Sequence, residues 1–225
     1  MQNQTAELEW RDDAVPVSTR FDDPYFSLEN GLAETQHVFL AGNDLPIRFR
    51  DGFHIAELGF GTGLNFLTAV QCWQATGIPG MLHFTSFEAY PMQASDMARA
   101  HAPIPGLGDL SASLRSCWRD DGGFFEPLPN VHLRVIVGDA REALPDWEGV
   151  ADAWFLDGFS PAKNPELWSP ILMREVGRHT VPGGTCATYT AAGFVRRALG
   201  DAGFEVERVK GYGRKRHMTR GILRK

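Results

Sequence analysis

The run AELGFGTGLNFL, residues 56–67, limits the fold more than any other stretch of the chain. It begins inside an apolar strand, Phe53 to Leu58, interrupted by His54 and Glu57. Gly59, Gly61 and Gly63 follow at alternate positions, and from Thr62 onward helix formers carry Leu64, Phe66, Leu67 and Val70. A strand that turns through glycines into a helix brings backbone N–H groups up to a ligand in α/β proteins. A dinucleotide fingerprint would read G-x-G-x-x-G, and Leu64 stands where its third glycine would fall. The turn therefore points away from a nicotinamide site.

From Phe53 the chain alternates. Strands are predicted at Phe53–Leu58, Leu82–Glu88, Val131–Val137, Ala153–Leu156 and Thr185–Thr190. Helices are predicted at about Thr62–Ala75, Met92–Ala102, Leu107–Trp118, Pro165–Thr180 and Ala191–Ala202, with a short one around Leu144 and Trp147. Gly122-Gly123 and Pro127–Asn130 read as loop, as does Pro182-Gly183-Gly184. Strands separated by helices imply a mostly parallel sheet covered on both faces. Phe204–Lys210 and His217–Leu223 are joined only by GYGRKR, too short for a parallel crossover, so they are expected to pair antiparallel. The layout is a seven-stranded sheet closed by a hairpin. Residues 1–50 differ: Asp-Pro, Asn-Gly and Gly-Asn turn signals break them into short pieces with too few apolar residues for a core. They read as an extension packed on a main domain at 51–225.

Three cysteines, Cys72, Cys117 and Cys186, lie far apart without metal-ligand spacing, which argues for reduced thiols in a cytoplasmic protein with no metal. No apolar run reaches eighteen residues and the N-terminus lacks a signal-peptide plan, so no membrane association is expected. The net charge of −6 is uneven. Eight Lys/Arg fall between Arg208 and Lys225, where there is no Asp or Glu, and all 28 acids precede them. A basic end on an acidic body fits a local anionic partner, and equally a solubilising tail.

Several polar residues fall where the predicted strands end. Glu88 closes the second strand, where a carboxylate can accept from both hydroxyls of a ribose or simply be solvated. Asp139 follows the third strand and suits an N-cap. Asp157 follows the fourth and lies beyond a strand's carboxyl end, where open α/β sheets bind ligands, or is a further turn or cap aspartate. The loop after it, Phe159 to Pro165, is too rich in proline to be helical. An aspartate, an aromatic and a rigid loop suit transfer to an amine, which must be held neutral and in line. Trp168 reads as core.

The G-x-G-x-G turn resembles motif I of S-adenosylmethionine-dependent methyltransferases, and the αβ layout resembles their class I, Rossmann-like fold. More specifically, DGFSPAKNPELW, ELGFGTGLNFL, HVFLAGNDLPIRF and GRKRHMTRG resemble the methyltransferase domain of the tRNA 5-methylaminomethyl-2-thiouridine-forming enzymes (MnmC and MnmD type). The likeness runs from about Pro24 to Leu223. It implies methyl transfer from S-adenosylmethionine to the amine of 5-aminomethyl(-2-thio)uridine at the tRNA wobble position.

The resemblance implies a cofactor set of Glu57, Gly59, Gly61, Gly63, Asn65, Glu88, Asp139, Ala140 and Asp157. Within it Asp139 would accept from the adenine amino group. Residues Gln36–Phe49 lie near the cofactor in that family, making Gln36, Asn43 and Arg48 candidate contacts, although a packed strand and turn explains them equally well. Asp157 is the candidate catalytic residue. Phe159, Lys163, Asn164, Arg214, Lys215 and Arg216 are candidates for the substrate, an anticodon loop of splayed bases and phosphates. Phe159 and Tyr189 are candidate stackers, or core. Two-domain relatives carry an FAD-dependent oxidase, so an oxidase domain or separate oxidase is an implied companion, and its activity is not expected of this chain. Other readings are an aminopropyltransferase, which would carry more acids for a polyamine, and an N-methyltransferase acting on a small amine or protein.

Overall fold

The computed structural model describes residues 5–12, 14–27 and 30–224. At the N-terminus, β1 (Leu8–Arg11), β2 (Val15–Ser18) and β3 (Asp23–Pro24) form a small antiparallel sheet. Helix α1 (Gly31–Thr35) is capped by Asn30, whose side chain accepts from Ala33 N, and runs on through a wide turn over Gln36–Leu40 and a 3-10 turn over Ala41–Asn43.

The main sheet then alternates as expected, through β4 (Phe53–Leu58), α2 (Leu64–Thr76), β5 (Leu82–Glu88), α3 (Ala94–His101) and α4 (Gly108–Cys117). The chain continues with β6 (Gly123–Leu128), β7 (Val131–Val137), α5 (Ala140–Ala143), β8 (Ala151–Leu156), α6 (Pro170–Arg178) and β9 (Thr180–Thr188). It ends with α7 (Gly193–Asp201), β10 (Phe204–Lys210) and β11 (His217–Leu223). The strand order is β10-β11-β9-β8-β4-β5-β7-β6. The terminal hairpin pairs antiparallel from Phe204↔Leu223 to Lys210↔His217, as its short linker requires.

Three expectations need correction. The sheet has eight strands, not seven, because Gly123–Leu128 pairs antiparallel with β7 where a loop was predicted. Two glycines and Pro127 hid it. Pro127 lacks an N–H, and the ladder breaks there, between Phe125 and Leu128, leaving an irregular edge strand. Pro182-Gly183-Gly184 does not precede β9 but lies within it, at a shift in register against β8. The helix predicted over Pro165–Thr180 is split into a 3-10 turn at Pro165–Trp168 and α6, where Ser169 caps the new start by accepting from Leu172 N.

Apolar layers cover both faces of the sheet. On one face Leu64, Phe66, Leu67, Val70 and Trp73 of α2 pack with Met97 and Leu114, and residues 38–49 add Val38, Phe39, Leu40, Leu45 and Phe49. On the other, Leu144, Trp147, Trp168, Leu172, Val176, Val195 and Leu199 cover Trp154 and Leu156. Each such side chain taken fully out of water contributes roughly 1.5–3 kcal/mol. This holds the β4 and β8 ends in register, through Glu57↔Phe155 and Leu58↔Leu156.

From β4 the chain moves outward to β5 and β7, then returns to place β8 on the other side of β4. That reversal makes the carboxyl ends of β4 and β8 the topological switch point, where open α/β sheets bind ligands.

Candidate functional site

A cavity of about 930 Å³ opens over this switch point. Ligand pockets of this class span about 300–1,000 Å³. Its base is the contact of two loops. A Cβ built on Gly59, at φ +85°, would lie 3.1 Å from Gly158 Cα, so glycine there lets the β4 and β8 loops touch. Gly61, at φ +53°, faces Tyr25 Cδ1, 2.9 Å from where its own Cβ would be. Both line the cavity. Gly63 does not; it closes the turn by donating to Phe60 O at 2.8 Å and is walled by Phe60 and Leu114.

Three carboxyls converge beneath the cavity. Glu88 accepts from Gly61 N at 2.8 Å and from Tyr90 N at 2.7 Å, one bond to each oxygen. Burial raises it above the ordinary carboxyl range, and the surrounding N–H groups partly offset that. Glu88 lies at the cavity edge, and a carboxylate is the acceptor a vicinal diol needs. Asp157 is pushed up to about 7 by burial, against a hydrogen bond from Asn65. Glu57, raised well above its ordinary value by burial, is fully enclosed and accepts from Asn65 Nδ2 at 2.9 Å and Ser86 Oγ at 2.7 Å. Glu57 thus supports the floor from below without lining the cavity.

Asp139 caps α5, accepting from Arg141 N at 2.9 Å, and both its oxygens hold the Arg141 guanidinium, which draws its carboxyl below the usual range. Asp139, Ala140 and Arg141 all line the cavity.

The sequence reading missed the roof. The turn joining β2 to β3 reaches over the Asp157 loop, where Phe21 stacks on Phe159 with centroids 4.6 Å apart and Tyr25 meets the same ring edge-on at 5.1 Å. Ser160 N donates to Asp23 Oδ2 at 2.8 Å, and Lys163 Nζ is bound by the carboxylate and carbonyl of Asp22. No local pattern marks these partners, since well over a hundred residues separate the two segments. Arg20, Arg141, Tyr90, Glu34 and Thr35 are further lining residues with no signal in the sequence.

The cavity therefore brings together Gly59, Gly61, Asn65, Glu88, Asp139, Ala140, Asp157, Phe159, Lys163, Asn164, Arg214 and Lys215. Others fall outside it. Asn43 is fully buried, and its amide is spent on the chain itself: Nδ2 donates to Phe39 O and Trp154 O, and Oδ1 accepts from Thr185 Oγ1. Arg48 binds Asn43 O, Thr185 Oγ1 and Asp152 O, so it clamps the residues 41–49 to the sheet. Gln36 is exposed away from the lining, as is Arg216. Tyr189 lines the wall with its hydroxyl donating to Gly158 O at 2.9 Å. Two rim lysines meet carboxylates rather than open solvent: Lys163 meets Asp22, and Lys215 meets Glu34 at 2.8 Å.

Among the described residues no group of three His, Cys, Asp or Glu is arranged to hold a metal ion. No helix there is long and apolar enough to cross a membrane.

Residues 124–224 match a family model described as S-adenosyl-L-methionine-dependent methyltransferase. By structure, 99% of the chain superposes on 72% of the MnmC2 protein of Aquifex aeolicus, with a TM-score of 0.76 at 24% identity. The fold is that of a Rossmann-like S-adenosylmethionine-dependent methyltransferase. A precorrin-6y C5,15-methyltransferase of Geobacter metallireducens shares it more distantly, at TM-score 0.52 and 15% identity over 95% of this chain and 96% of that one. In sequence, 98% of the chain is 46% identical to the tRNA 5-methylaminomethyl-2-thiouridine biosynthesis bifunctional protein MnmC of Stutzerimonas stutzeri. The chain spans 35% of the length of that relative. The resemblance read from the motifs agrees with this match, and S-adenosylmethionine is the cofactor that the matching family model names. The site chemistry fits it: a glycine turn with no room for side chains, and a recessed carboxylate at a strand end where a ribose is bound.

Proposed function

We propose that the protein methylates the amine of 5-aminomethyl(-2-thio)uridine at the wobble position of tRNA. The observation that carries this reading is the Asp157 carboxyl, raised to about 7 at the cavity floor beside the glycine cradle. The 46% identity to a tRNA 5-methylaminomethyl-2-thiouridine biosynthesis protein favours a nucleoside acceptor over a polyamine or protein.

Gly59 and Gly61 let the turn close against Gly158 and Tyr25 beneath the cofactor, and Glu88 accepts from its ribose. When bound, S-adenosylmethionine would supply an electrophilic methyl group on sulfur, the S–C bond breaking to leave the thioether S-adenosylhomocysteine. The protein's part is to present an acceptor nitrogen with its lone pair free and to take the proton released as the new N–C bond forms. Asp157 accepts a hydrogen bond from the amine and orients that lone pair. A carboxyl titrating near neutrality takes a proton from an ammonium and returns it to water without a large mismatch in pKa. Phe159, steadied by Phe21 and Tyr25, offers an aromatic surface against which a splayed pyrimidine stacks. Arg214, Arg216 and the two lysines are the groups offered to an anticodon backbone, and residues 1–50 belong to an extension packed on a catalytic domain at 51–225. A cytoplasmic setting, and an oxidase acting on the same nucleoside, belong to this reading.

Incubation with methyl-labelled S-adenosylmethionine and tRNA carrying 5-aminomethyluridine tests it. Label is expected in the wobble nucleoside after digestion. Label in polyamines or protein, with none in tRNA, sinks it.

A further inference from the structure

Lys215 enters the cavity from the turn between β10 and β11, and its ammonium sits in a small cage. Nζ donates to Glu34 Oε1 at 2.8 Å and lies 4.1 Å from the centroid of the Tyr189 ring. The cage is rigid. Glu34 stands on α1 with its side chain only 13% exposed. The Tyr189 ring is fixed at the end of β9 by its hydroxyl bond to Gly158 O and by Trp168, edge-on at 6.1 Å. The charges of both Glu34 and Lys215 act on Asp157, and all four residues line the same cavity.

The occupant is far more exposed than its cage. Residues 213–217 are exposed, Gly213 takes φ +55°, and the Lys215 side chain is 47% exposed. A carboxylate beside an aromatic face is a receptor for a primary ammonium, by charge-assisted hydrogen bonding and cation–π attraction. One ammonium replacing another leaves Glu34 partnered throughout, which avoids the cost of an unpaired recessed charge.

We infer that Glu34 and the face of Tyr189 form a subsite for the primary ammonium of a ligand, and that Lys215 fills it in the ligand's absence. Two ammonium groups belong to the proposed reaction, and to that extent the inference rests on it. One is the aminomethyl group of the acceptor nucleoside, and the other is the α-ammonium at the amino-acid end of S-adenosylmethionine.

Binding measurements separate the two sources without relying on turnover. Lys215→Met removes the competing charge and keeps the stem. An exposed ion pair holds its partner weakly, so the vacated cage should tighten its true ligand about two- to fivefold. If the cofactor end is the source, S-adenosylhomocysteine tightens while 5′-methylthioadenosine, which lacks the amino-acid end, does not. If the acceptor is the source, an anticodon stem-loop bearing 5-aminomethyluridine tightens while its 5-methyl analogue, which lacks the nitrogen, does not. Glu34→Gln should weaken whichever ligand Lys215→Met tightens, with thermal unfolding used to confirm that both variants fold. Unchanged or weaker binding of both ammonium ligands in Lys215→Met overturns the inference. Failure of labelled transfer to tRNA removes the proposed function alone, since the calorimetric arms still read the subsite.

Discussion

Asn65 Nδ2 lies 2.7 Å from Asp157 Oδ2, and the same nitrogen also donates to Glu57 at 2.9 Å. Thr35 Oγ1 donates to Asn65 Oδ1 at 2.8 Å, which fixes the amide with its nitrogen toward the two acids. Residues from α1, α2, β4 and the β8 loop thereby set the direction of one carboxylate. The same bond moderates its acidity, because burial raises Asp157 and the Asn65 hydrogen bond lowers it.

That relationship predicts a pH profile. If Asp157 works as its carboxylate, transfer should fall on the acid side of about 7. Asn65→Ala removes a donor to the charged form, so the acid limb should move to higher pH as kcat falls. Single-turnover rates from pH 5.5 to 9 decide the matter. An acid limb that does not move in Asn65→Ala removes the amide from control of Asp157.

Replacing the carboxyl itself should be more damaging. Loss of a positioned acid–base group costs about 10²–10⁴-fold in rate. Asp157→Ala is therefore expected to lower kcat by at least the smaller of these factors. Binding of S-adenosylhomocysteine should survive, because Glu88 and the glycine cradle remain. Full turnover in this variant would falsify the role given to Asp157.

Much of this site was legible from local patterns, and the exceptions share a cause. The β4 turn, Glu88, Asp139 and Asp157 all follow apolar strands, and strand ends converge in any parallel sheet. The closing hairpin was legible because a six-residue linker permits only one pairing. The Phe21, Asp22, Asp23 and Tyr25 roof was not, since its partners lie in the distant Asp157 loop. Asn43 and Arg48 show the opposite case, where the second of the two readings left open is the one the hydrogen bonds support. A polar side chain in a motif resembles a ligand contact until its hydrogen bonds are seen to close on Trp154, Thr185 and Asp152. Lys163 and Lys215 have positive charges as read, but the carboxylates that face them come from segments with no sequence link to them.

The glycine cradle can be tested against a matched control. Gly59 and Gly77 both have positive φ, +85° and +65°. A Cβ at Gly77 meets nothing within 4 Å, whereas at Gly59 it meets the Gly158 backbone. Gly77→Ala should cost only the left-handed conformation, roughly 1–2 kcal/mol. Gly59→Ala adds separation of the two loops, so it should destabilise more and also weaken S-adenosylhomocysteine binding. Urea unfolding and calorimetry on the two variants suffice. Equal losses of stability, with affinity intact in both, would show that the close approach of the loops does not matter.

Acid stability should carry the signature of His54, at the opposite end of the sheet from the cavity. Its ring packs edge-on against Trp147 with centroids 5.5 Å apart, and Nε2 is 2.9 Å from Thr85 Oγ1. Burial, and then the neighbouring His83, lower its pKa from 6.5 to about 4. Between those values the unfolded chain binds the proton and the native one does not, so this residue's contribution to stability declines as pH falls through that window. The full effect is at most about 3 kcal/mol, reached near pH 4. Asp157 works the other way. Its raised pKa of about 7 means the native state holds its proton first, so it favours folding as pH falls from 7 toward 4. The two trends partly cancel in the wild type, and only a difference measurement isolates His54. His54→Gln should be the less stable protein at pH 7.5, because it loses the packing on Trp147. At pH 4.5 the gap should close by about 2 kcal/mol or reverse, since glutamine has no proton to bind. Urea titrations of both proteins at the two pH values provide the comparison. A gap that stays constant would mean that His54 takes up its proton in the folded state as readily as in the unfolded one.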